Sequence, residues 1–312
     1  MRDTTMPPEK TLTLGGDLTI NRLGYGAMHL TGHGMWGPPE DPANAIAVLR
    51  RAVELGINFI DTADSYGPGY NERIIREALH PYPDDLVVTT KGGMLRSGQQ
   101  DWLHDSGKPP YTVALGRPEY LRQQVELSLY NLGLDCIPLY QLHRIDPVVP
   151  LADQLGALGQ LQQEGKIRHI GVSGQPQVSA EQVAACRDIV DIVAVENLYN
   201  VADRSGEDVL HYTEDNDIAF IPWFPMGHGD LLGPNGALAK IAPSVGASPS
   251  QLALGWLLHH SPNNILIPGT TSINHLEENV RAGDLDLDDG LWDEIAELCT
   301  HEQPWRPGQA SA

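Results

Sequence analysis

The feature that most constrains the fold is an alternation of short apolar runs with amphipathic stretches along most of the 312 residues. Eight runs are rich in Ile, Val or Leu and too short for a helix: residues 22–27, 57–62, 86–91, 137–143, 167–173, 192–197, 218–223 and 265–269. Between them lie segments with apolar residues at helical intervals: residues 43–55, 118–132, 151–164, 180–187, 208–215 and 250–260. Such alternation predicts parallel strands joined by right-handed crossovers.

The number of strands and the chain length fit a closed (β/α)8 barrel, preceded by a short β-hairpin over residues 11–21. The competing fold is a doubly wound open sheet. That fold carries a GxGxxG motif after its first strand, whereas the turn Gly24-Tyr25-Gly26 lacks the third glycine. The sequence therefore predicts an α/β protein, a TIM barrel with an N-terminal hairpin, forming one domain over residues 1–312.

The longest irregular stretch, residues 92–116, follows the third predicted strand and contains Trp102 and Tyr111. Loops of this length are usually functional or disordered. Because it follows a barrel strand, we expect it to overhang the carboxyl-terminal face, where barrel enzymes carry out their chemistry.

Four polar side chains stand where three consecutive predicted strands end, and the carboxyl ends of barrel strands meet at one face. Hydride reduction of a carbonyl needs a proton donor at the developing alkoxide, and free Tyr, with a pKa of about 10, is a poor match at neutral pH. An ammonium lowers the pKa of a phenol, and a carboxylate holds the ammonium charged. We therefore assign Tyr66 as the general acid and Lys91 as the group that lowers its pKa. Asp61 is then the partner of Lys91, and a neutral His143 orients the carbonyl by a hydrogen bond.

Residues 56–67, which read GINFIDTADSYG, resemble the signature of the aldo-keto reductase family. Residues 165–173 (GKIRHIGVS) and 267–272 (IPGTTS) extend the resemblance over nearly the whole chain. The family is built on an (α/β)8 barrel and uses a tetrad of Asp, Tyr, Lys and His, which matches the four residues above. The resemblance implies an enzyme that uses NAD(P)H to reduce aldehydes or ketones reversibly to alcohols.

The resemblance also implies a cofactor site. Ser173 matches the serine that contacts the nicotinamide carboxamide, and Trp223 matches the aromatic residue that stacks on the ring. The usual Asn is here Gly174, and the usual Gln is Glu196, whose carboxylate can still accept from the carboxamide NH2. In the loop over the pyrophosphate, small residues let backbone N–H groups approach phosphate. The set implied for this half of the cofactor is Gly26, Ala27, Met28, Ser173, Gly174, Glu196, Trp223, Phe224, Pro225, Met226, Gly227, Gly229 and Leu231.

A second set matches the family's adenosine end: Gly269, Thr270, Thr271, Ser272, His275, Glu278 and Asn279. The last three lie at helical spacing, and a helix N-terminus suits a phosphate. Family members that grip the 2′-phosphate of NADPH often use Lys and Arg at two places that are Gly269 and His275 here. The three hydroxyls can still donate and His275 can be partly cationic, so NADPH is favoured. NADH is the alternative, because fixed charges discriminate most strongly.

Residues 22–28 and 195–204 resemble a bacterial branch of the family that includes pyridoxal reductases, which make pyridoxine from pyridoxal. We expect the substrate wall to come from Met28, Trp36, Trp102 and residues near Trp223, which gives an apolar, aromatic mouth. Such a pocket suits aromatic or alicyclic aldehydes and ketones better than polyanionic sugars.

Composition restricts the partners. Lys and Arg number 20 against 41 Asp and Glu, and the formal net charge is −21. Such a surface repels nucleic-acid phosphates and anionic lipid, so we expect neither partner. The three cysteines show no metal-binding spacing and are typical of buried thiols in a reducing cytosol. Residues 1–10 lack the apolar segment of a signal peptide, and no apolar run is long enough to span a bilayer. We expect a cytoplasmic enzyme without a metal site.

Two other classes of function share part of this sequence pattern. A nicotinamide-binding regulatory subunit on the same barrel would keep all four polar residues, but the chain enters its hairpin near residue 11, without an extended interaction segment. A metal-dependent hydrolase needs several His and carboxylate ligands at strand ends, where His143 is the only histidine.

Overall fold

A computed structural model describes residues 10–99, 112–174, 177–227 and 229–300 of the chain, although the side chains of Gly229 and Asp230 are not described. The strands in these ranges are β1 (Thr11–Leu14), β2 (Leu18–Asn21), β3 (Tyr25–Gly26), β4 (Phe59–Asp61), β5 (Val87–Gly92), β6 (Met94–Arg96), β7 (Thr112–Ala114), β8 (Ile137–Leu142), β9 (Ile167–Ser173), β10 (Ile192–Leu198) and β11 (Ala219–Trp223). Seven of them form one parallel sheet in the order β11–β10–β9–β8–β5–β4–β3.

Helices cover the outside of this sheet: α1 (Pro42–Glu54), α2 (Tyr70–Leu79), α3 (Pro118–Leu132), α4 (Leu151–Gln163), α5 (Ala180–Arg187), α6 (Glu207–Asp215), α7 (Ala237–Val245), α8 (Pro249–His260), α9 (Ile273–Val280) and α10 (Asp289–Cys299). Local sequence explains several helix starts. Pro118 and Pro249 occupy first-turn positions, where proline loses no hydrogen bond. Ser179 and Ser248 form capping boxes with a glutamine three residues later.

Residues 264–268 close the sheet into a barrel. Asn264 pairs in parallel with Phe220 of β11, and Leu266 pairs in parallel with Leu23, just before β3. The Leu266 amide donates to the Arg22 carbonyl at 2.7 Å, and the Gly24 amide donates to the Leu266 carbonyl at 2.8 Å. This segment therefore takes the place of an eighth strand, and the predicted (β/α)8 barrel is confirmed.

The guanidinium of Arg22 reinforces this closure from inside the protein, where only 1% of the residue is exposed. Its Nε donates to the Asn264 carbonyl at 3.1 Å, and its Nη2 donates to the carbonyls of Leu258 and Ser261. One cation thus holds together the start of the barrel, the end of α8 and the closing segment.

The β1–β2 hairpin covers the amino-terminal end of the barrel. Its side chains Leu14 and Ile20 are buried in one apolar cluster with Phe59 and Val87, the first residues of β4 and β5. At the rim, Asp17 in the hairpin turn pairs with the side chains of Arg168 and His169 at the start of β9. The hairpin has the predicted bounds and fills the end of the barrel opposite the predicted site.

Some elements differ from the prediction. Helices α2, α7 and α10 were not predicted, and α2 buries the polar Asn71 and Glu72, which interrupts its apolar periodicity. The predicted irregular stretch, residues 92–116, contains β6 near its beginning and β7 near its end. These two strands pair in antiparallel orientation. Trp102 and Tyr111 lie outside the described residues. Within those residues, no helix is both long and apolar enough to cross a membrane.

Candidate active site

The polar side chains predicted from the sequence lie at the carboxyl-terminal end of the barrel. Asp61 is the last residue of β4, Lys91 is the next-to-last residue of the neighbouring parallel strand β5, and His143 directly follows β8. Tyr66 stands in the turn between β4 and α2, where the Asp64 amide donates to the Lys91 carbonyl at 3.0 Å. The fold therefore brings all four residues to one place, as the alternation of strands and helices predicts.

The ammonium of Lys91 is fully buried and held from several sides. Its Nζ lies 2.5 Å from Asp61 Oδ2 and 3.2 Å from the Thr62 carbonyl, to both of which it donates. A second carboxylate oxygen, Glu196 Oε2, lies 3.2 Å from the same Nζ. Burial opposes the charge on Lys91, but the two carboxylates raise its pKa well above the ordinary range. Lys91 is a fixed cation.

The ring of Tyr66 lies next to this cation. Lys91 Nζ is 5.5 Å from the Tyr66 ring centroid, and the His143 ring meets Tyr66 edge to face with centroids 6.1 Å apart. Burial raises the pKa of Tyr66 to about 12, against the opposing effect of Lys91. Lys91 does lower the pKa of Tyr66, as expected, but the rise in this pKa that burial causes is larger. Tyr66 is a neutral phenol that carries its proton.

His143 is neutral as well. Burial lowers its pKa well below the ordinary value, and the nearby cations Lys91, Arg144 and Arg96 lower it further. Its Nδ1 is buried without a hydrogen-bond partner among the residues that the structure describes. A neutral imidazole beside a neutral phenol has the chemistry to bind an uncharged carbonyl oxygen.

Glu196 brings a second carboxylate into the site. Its Oε2 accepts a hydrogen bond from Gln141 Nε2 at 2.9 Å, in addition to its ion pair with Lys91. The sequence analysis missed Gln141, although it lies two residues before His143 and therefore on the same face of the strand. Burial first, and Glu196 second, raise the pKa of Asp61 to about 7, against the effect of Lys91.

Comparison with known proteins agrees with this geometry. The family model described as "Aldo/keto reductase family" matches residues 22–299. The chain is 44% identical over 283 residues to the pyridoxine 4-dehydrogenase of Escherichia coli, with 89% of this chain and 94% of that protein covered. It is 30% identical to the aldo-keto reductase yakc [NADP(+)] of Schizosaccharomyces pombe, with 94% and 92% covered. The chain belongs to the aldo/keto reductase family.

A solved structure supports the same assignment. The glycerol dehydrogenase of Gluconobacter oxydans superposes on this aldo/keto reductase with a TM-score of 0.80 and 25% sequence identity. The alignment covers 97% of this chain and 99% of that structure. The prediction of an oxidoreductase of this family is therefore confirmed.

The residues expected at the nicotinamide end of the aldo/keto reductase lie on adjacent strands. Ser173 is buried and pairs in register with Glu196. The Gly174 amide donates to the Glu196 carbonyl at 3.0 Å, and the Gly174 carbonyl accepts from Trp223 Nε1 at 3.1 Å. This hydrogen bond fixes the edge of a half-buried indole at the mouth of the barrel.

The loop expected over the pyrophosphate leaves β11 with an unusual backbone. Phe224 has φ +54° and Gly227 has φ +67°, both in the left-handed region. Phe224 is held there by Asn200, whose Nδ2 donates to its carbonyl at 3.2 Å, and by the Gly227 amide at 2.9 Å. Leu231 is buried and anchors the far end of the loop beneath Gly227. Strained backbone of this kind is concentrated at functional sites. Pro225 and Met226, which were also expected to contact the cofactor, belong to this loop. Ala27, expected at the same half of the cofactor, is buried.

The residues expected at the adenosine end follow the closing segment. Ser272 caps α9 and accepts from the His275 amide, while Thr270 Oγ1 accepts from the Ser272 amide at 3.0 Å. His275 and Thr271 are exposed, Glu278 is half-buried and Asn279 is buried. Gly26 and Gly269 approach so closely that a side chain on Gly269 would contact the Gly26 carbonyl oxygen. Hydroxyl donors at a helix N-terminus, an aromatic face and an amide-binding pair are the chemistry that a nicotinamide dinucleotide requires.

The expected substrate wall is only partly described. Met28 is half-buried against Met35, Ala63 and Tyr66, so it borders the phenol, and Trp36 is 42% exposed. Trp102 lies outside the described residues. The sequence analysis did not predict the buried Arg96, whose Nε donates to the Ser65 carbonyl at 2.9 Å beside Tyr66.

Asp64 is a buried carboxyl group close behind the site. It is only 8% exposed, and no side chain in the described part of the chain hydrogen-bonds to its carboxyl oxygens. Burial and the nearby Glu72 raise its pKa well above the ordinary value. Its surroundings therefore disfavour the charged form of Asp64.

Proposed function

We propose that this chain is a reductase that converts small aldehydes and ketones reversibly to alcohols, with NADPH favoured over NADH. The observation that carries the proposal is the neutral Tyr66 phenol beside the buried Lys91 cation and the neutral His143 ring. Reduction of a carbonyl creates negative charge on its oxygen, and this arrangement places a proton donor and a fixed positive charge there.

Each of the four residues has a distinct part in the proposed chemistry. Tyr66 donates its proton to the carbonyl oxygen, and its conjugate phenolate is stabilised by Lys91 nearby. Asp61 holds Lys91 in place through the 2.5 Å contact. His143 is uncharged and donates a hydrogen bond that orients the carbonyl oxygen. In the reverse direction the Tyr66 phenolate accepts the proton of the alcohol.

The cofactor supplies the hydride when it is bound. Ser173 and Trp223 would hold the nicotinamide, the loop from Phe224 to Leu231 would hold the pyrophosphate, and the start of α9 would hold the adenosine end. NADPH is favoured because Ser272 and the two threonines before it present hydroxyl donors, and because a relative at 30% identity bears NADP(+) in its name.

We propose a small aromatic carbonyl as the substrate, with pyridoxal as the first to be tested. A relative at 44% identity is named pyridoxine 4-dehydrogenase, and pyridoxal is the aldehyde of that alcohol. The half-buried Met28 beside Tyr66 gives the apolar contact that an aromatic ring needs.

The test is the loss of NADPH absorbance with pyridoxal and with simple aromatic aldehydes. Tyr66→Phe is expected to lower kcat by about 10²- to 10⁴-fold, because a positioned proton donor contributes that much. The matched control is Tyr130→Phe, which removes the same hydroxyl from a side chain that is 75% exposed on α3. Undiminished activity in Tyr66→Phe would refute the assigned acid. Tight NADPH binding with no turnover of any carbonyl would instead favour a regulatory subunit.

A further inference from the structure

The buried centre of the site holds more negative than positive charge. Asp61 and Glu196 both lie within 3.2 Å of the single ammonium of Lys91, and the side chains of all three are at most 4% exposed. Two buried carboxylates facing one cation leave one negative charge unbalanced, unless one of the two is protonated.

Among the residues that the structure describes, Lys91 is the one cation paired with Glu196. From β8, Gln141 donates to Glu196 at 2.9 Å but is uncharged. From the neighbouring strands, Ser173 and Ile221 stand in register with it. Of the titratable groups farther from Glu196, Tyr66 and His143 are neutral. Arg96 lies on the Tyr66 side of the site and lowers the pKa of both groups.

We propose that Glu196 is a positioning residue that sets the charge of the site, so that one proton on Asp61, kept there by the neighbouring Glu196 carboxylate, determines both the protonation of Tyr66 and the preference for oxidised over reduced nicotinamide. This inference rests on the proposed function. It assigns Glu196 a role beyond the carboxamide contact that the family resemblance implies. A glutamine at this position would keep the hydrogen bonds but not the charge.

The effect on Tyr66 follows from the sign of the charge. Glu196 and Asp61 both raise the pKa of the Tyr66 phenol, because a negative charge nearby disfavours a phenolate. Burial, and the Glu196 carboxylate second, raise the pKa of Asp61 to about 7. Near neutral pH, loss of the proton from Asp61 therefore adds the negative charge that opposes phenolate formation.

The effect on the cofactor has the same origin. The oxidised nicotinamide ring carries a positive charge and the reduced ring carries none. The proposed reaction requires the ring and the Tyr66 hydroxyl to reach the same carbonyl group, so both lie in the field of the two carboxylates. The unbalanced charge therefore stabilises NADP+ relative to NADPH, and it does so more strongly once Asp61 has lost its proton.

The experiment compares the dissociation constants of NADP+ and NADPH, measured by fluorescence titration at pH 6 and pH 8.5. In the native protein we expect NADP+ to tighten relative to NADPH by on the order of tenfold between these two pH values. Glu196→Gln should abolish this change, and Glu196→Asp, which keeps the charge, should retain it. Uptake of NADP+ near pH 7 in weakly buffered solution should release protons from the native protein but not from Glu196→Gln.

The matched control is Glu207→Gln, which removes a hydrogen-bonded carboxylate on α6 that contacts Tyr199 and His260. It should leave the ratio of the two dissociation constants unchanged at both pH values. In the direction of alcohol oxidation Tyr66 must be deprotonated, so Glu196→Gln should move the acidic limb of the pH profile of kcat/KM to lower pH by about one unit.

The possible outcomes separate the two proposals. A ratio of dissociation constants that does not change with pH, or that changes equally in Glu196→Gln, would overturn the role of Glu196 while leaving the reductase activity intact. Loss of stability without a change in this ratio would give Glu196 a structural role only and would also overturn the proposal. A native protein that shows the pH-dependent ratio but reduces no carbonyl would count against the proposed function alone.

Discussion

The rings of Tyr66 and His143 meet edge to face, with centroids 6.1 Å apart and planes at 85° to each other. Both groups are uncharged at neutral pH, since burial raises the pKa of the phenol and lowers that of the imidazole. Two neutral donors at this separation can both hydrogen-bond to one carbonyl oxygen, and neither has to change its protonation state first. The geometry therefore favours reduction of a neutral carbonyl, and the contributions of the two rings can be measured separately.

Replacing His143 by Phe keeps a ring against Tyr66 but removes the hydrogen bond to the substrate. We expect kcat/KM for aldehyde reduction to fall about 10- to 100-fold, since a hydrogen bond of this kind contributes about 1.5–3 kcal/mol. The dissociation constant of NADPH should be unchanged. A His143→Phe variant with native kcat/KM would show that the imidazole does not orient the carbonyl.

The two carboxylates on Lys91 predict a non-additive pair of substitutions. Asp61→Asn alone should lower kcat by about tenfold or less, because Glu196 still holds Lys91 charged. Combining it with Glu196→Gln leaves a buried ammonium without a counter-ion, and kcat should fall by far more than the product of the single effects. Steady-state kinetics of the four members of the cycle measures this coupling, and strictly multiplicative effects would contradict it.

The exposed position of His275 at the start of α9 offers a test of cofactor choice. His275→Arg adds a permanent positive charge where an adenosine phosphate is expected, and the affinity for NADPH should rise by about tenfold. The affinity for NADH should stay within about twofold, because NADH lacks the 2′-phosphate. Titration with both cofactors checks this, and an equal gain for both would show that the arginine does not reach that phosphate.

The stability of the barrel should depend strongly on Arg22. Arg22→Met removes donors to the carbonyls of Leu258, Ser261 and Asn264, and we expect a loss of about 2–5 kcal/mol in the free energy of unfolding. The comparison is Arg168→Met, which breaks an exposed pair with Asp17 and should cost less than about 1 kcal/mol. Urea unfolding of both variants gives the two values, and similar losses would argue against a closing role for Arg22.

Asp64 should make the protein less stable as the pH rises. Its folded pKa is raised above the ordinary value of 3.8, so the folded state holds a proton that the unfolded state releases. Its contribution is therefore most favourable below that ordinary value and is lost as the pH increases. Asp64→Asn should raise the melting temperature at pH 8 and leave it nearly unchanged at pH 4. A gain of equal size at both values would show that titration of Asp64 is not the cause.

The sequence predicted the barrel and the meeting of its four polar residues because both depend on local patterns. The bounds of the amino-terminal hairpin, of α3 and of α5 agree with the prediction residue for residue. The last strand agrees less well. Residues 265–269 were predicted as a strand, but only Asn264 and Leu266 form bridges, and Pro268 carries no N–H to continue the ladder.

Contacts across the barrel interior were harder to predict. Lys91 and Glu196 lie on β5 and β10, which are separated in the sheet by two other strands. Only the curl of the sheet brings their side chains together, and no spacing along the chain encodes that distance. The net effect on Tyr66 was missed for a related reason, since desolvation depends on how completely the folded chain surrounds the phenol.

The hairpin that fills the amino-terminal end of the barrel has a kinetic consequence. Because Leu14 and Ile20 are packed into that opening, we expect cofactor, substrate and product to enter and leave at the other end of the barrel. The dinucleotide is the larger ligand and its nicotinamide ring must bind deepest, so it has to bind before the substrate and dissociate after the product. We therefore expect an ordered kinetic mechanism, in which product inhibition by NADP+ is competitive with respect to NADPH.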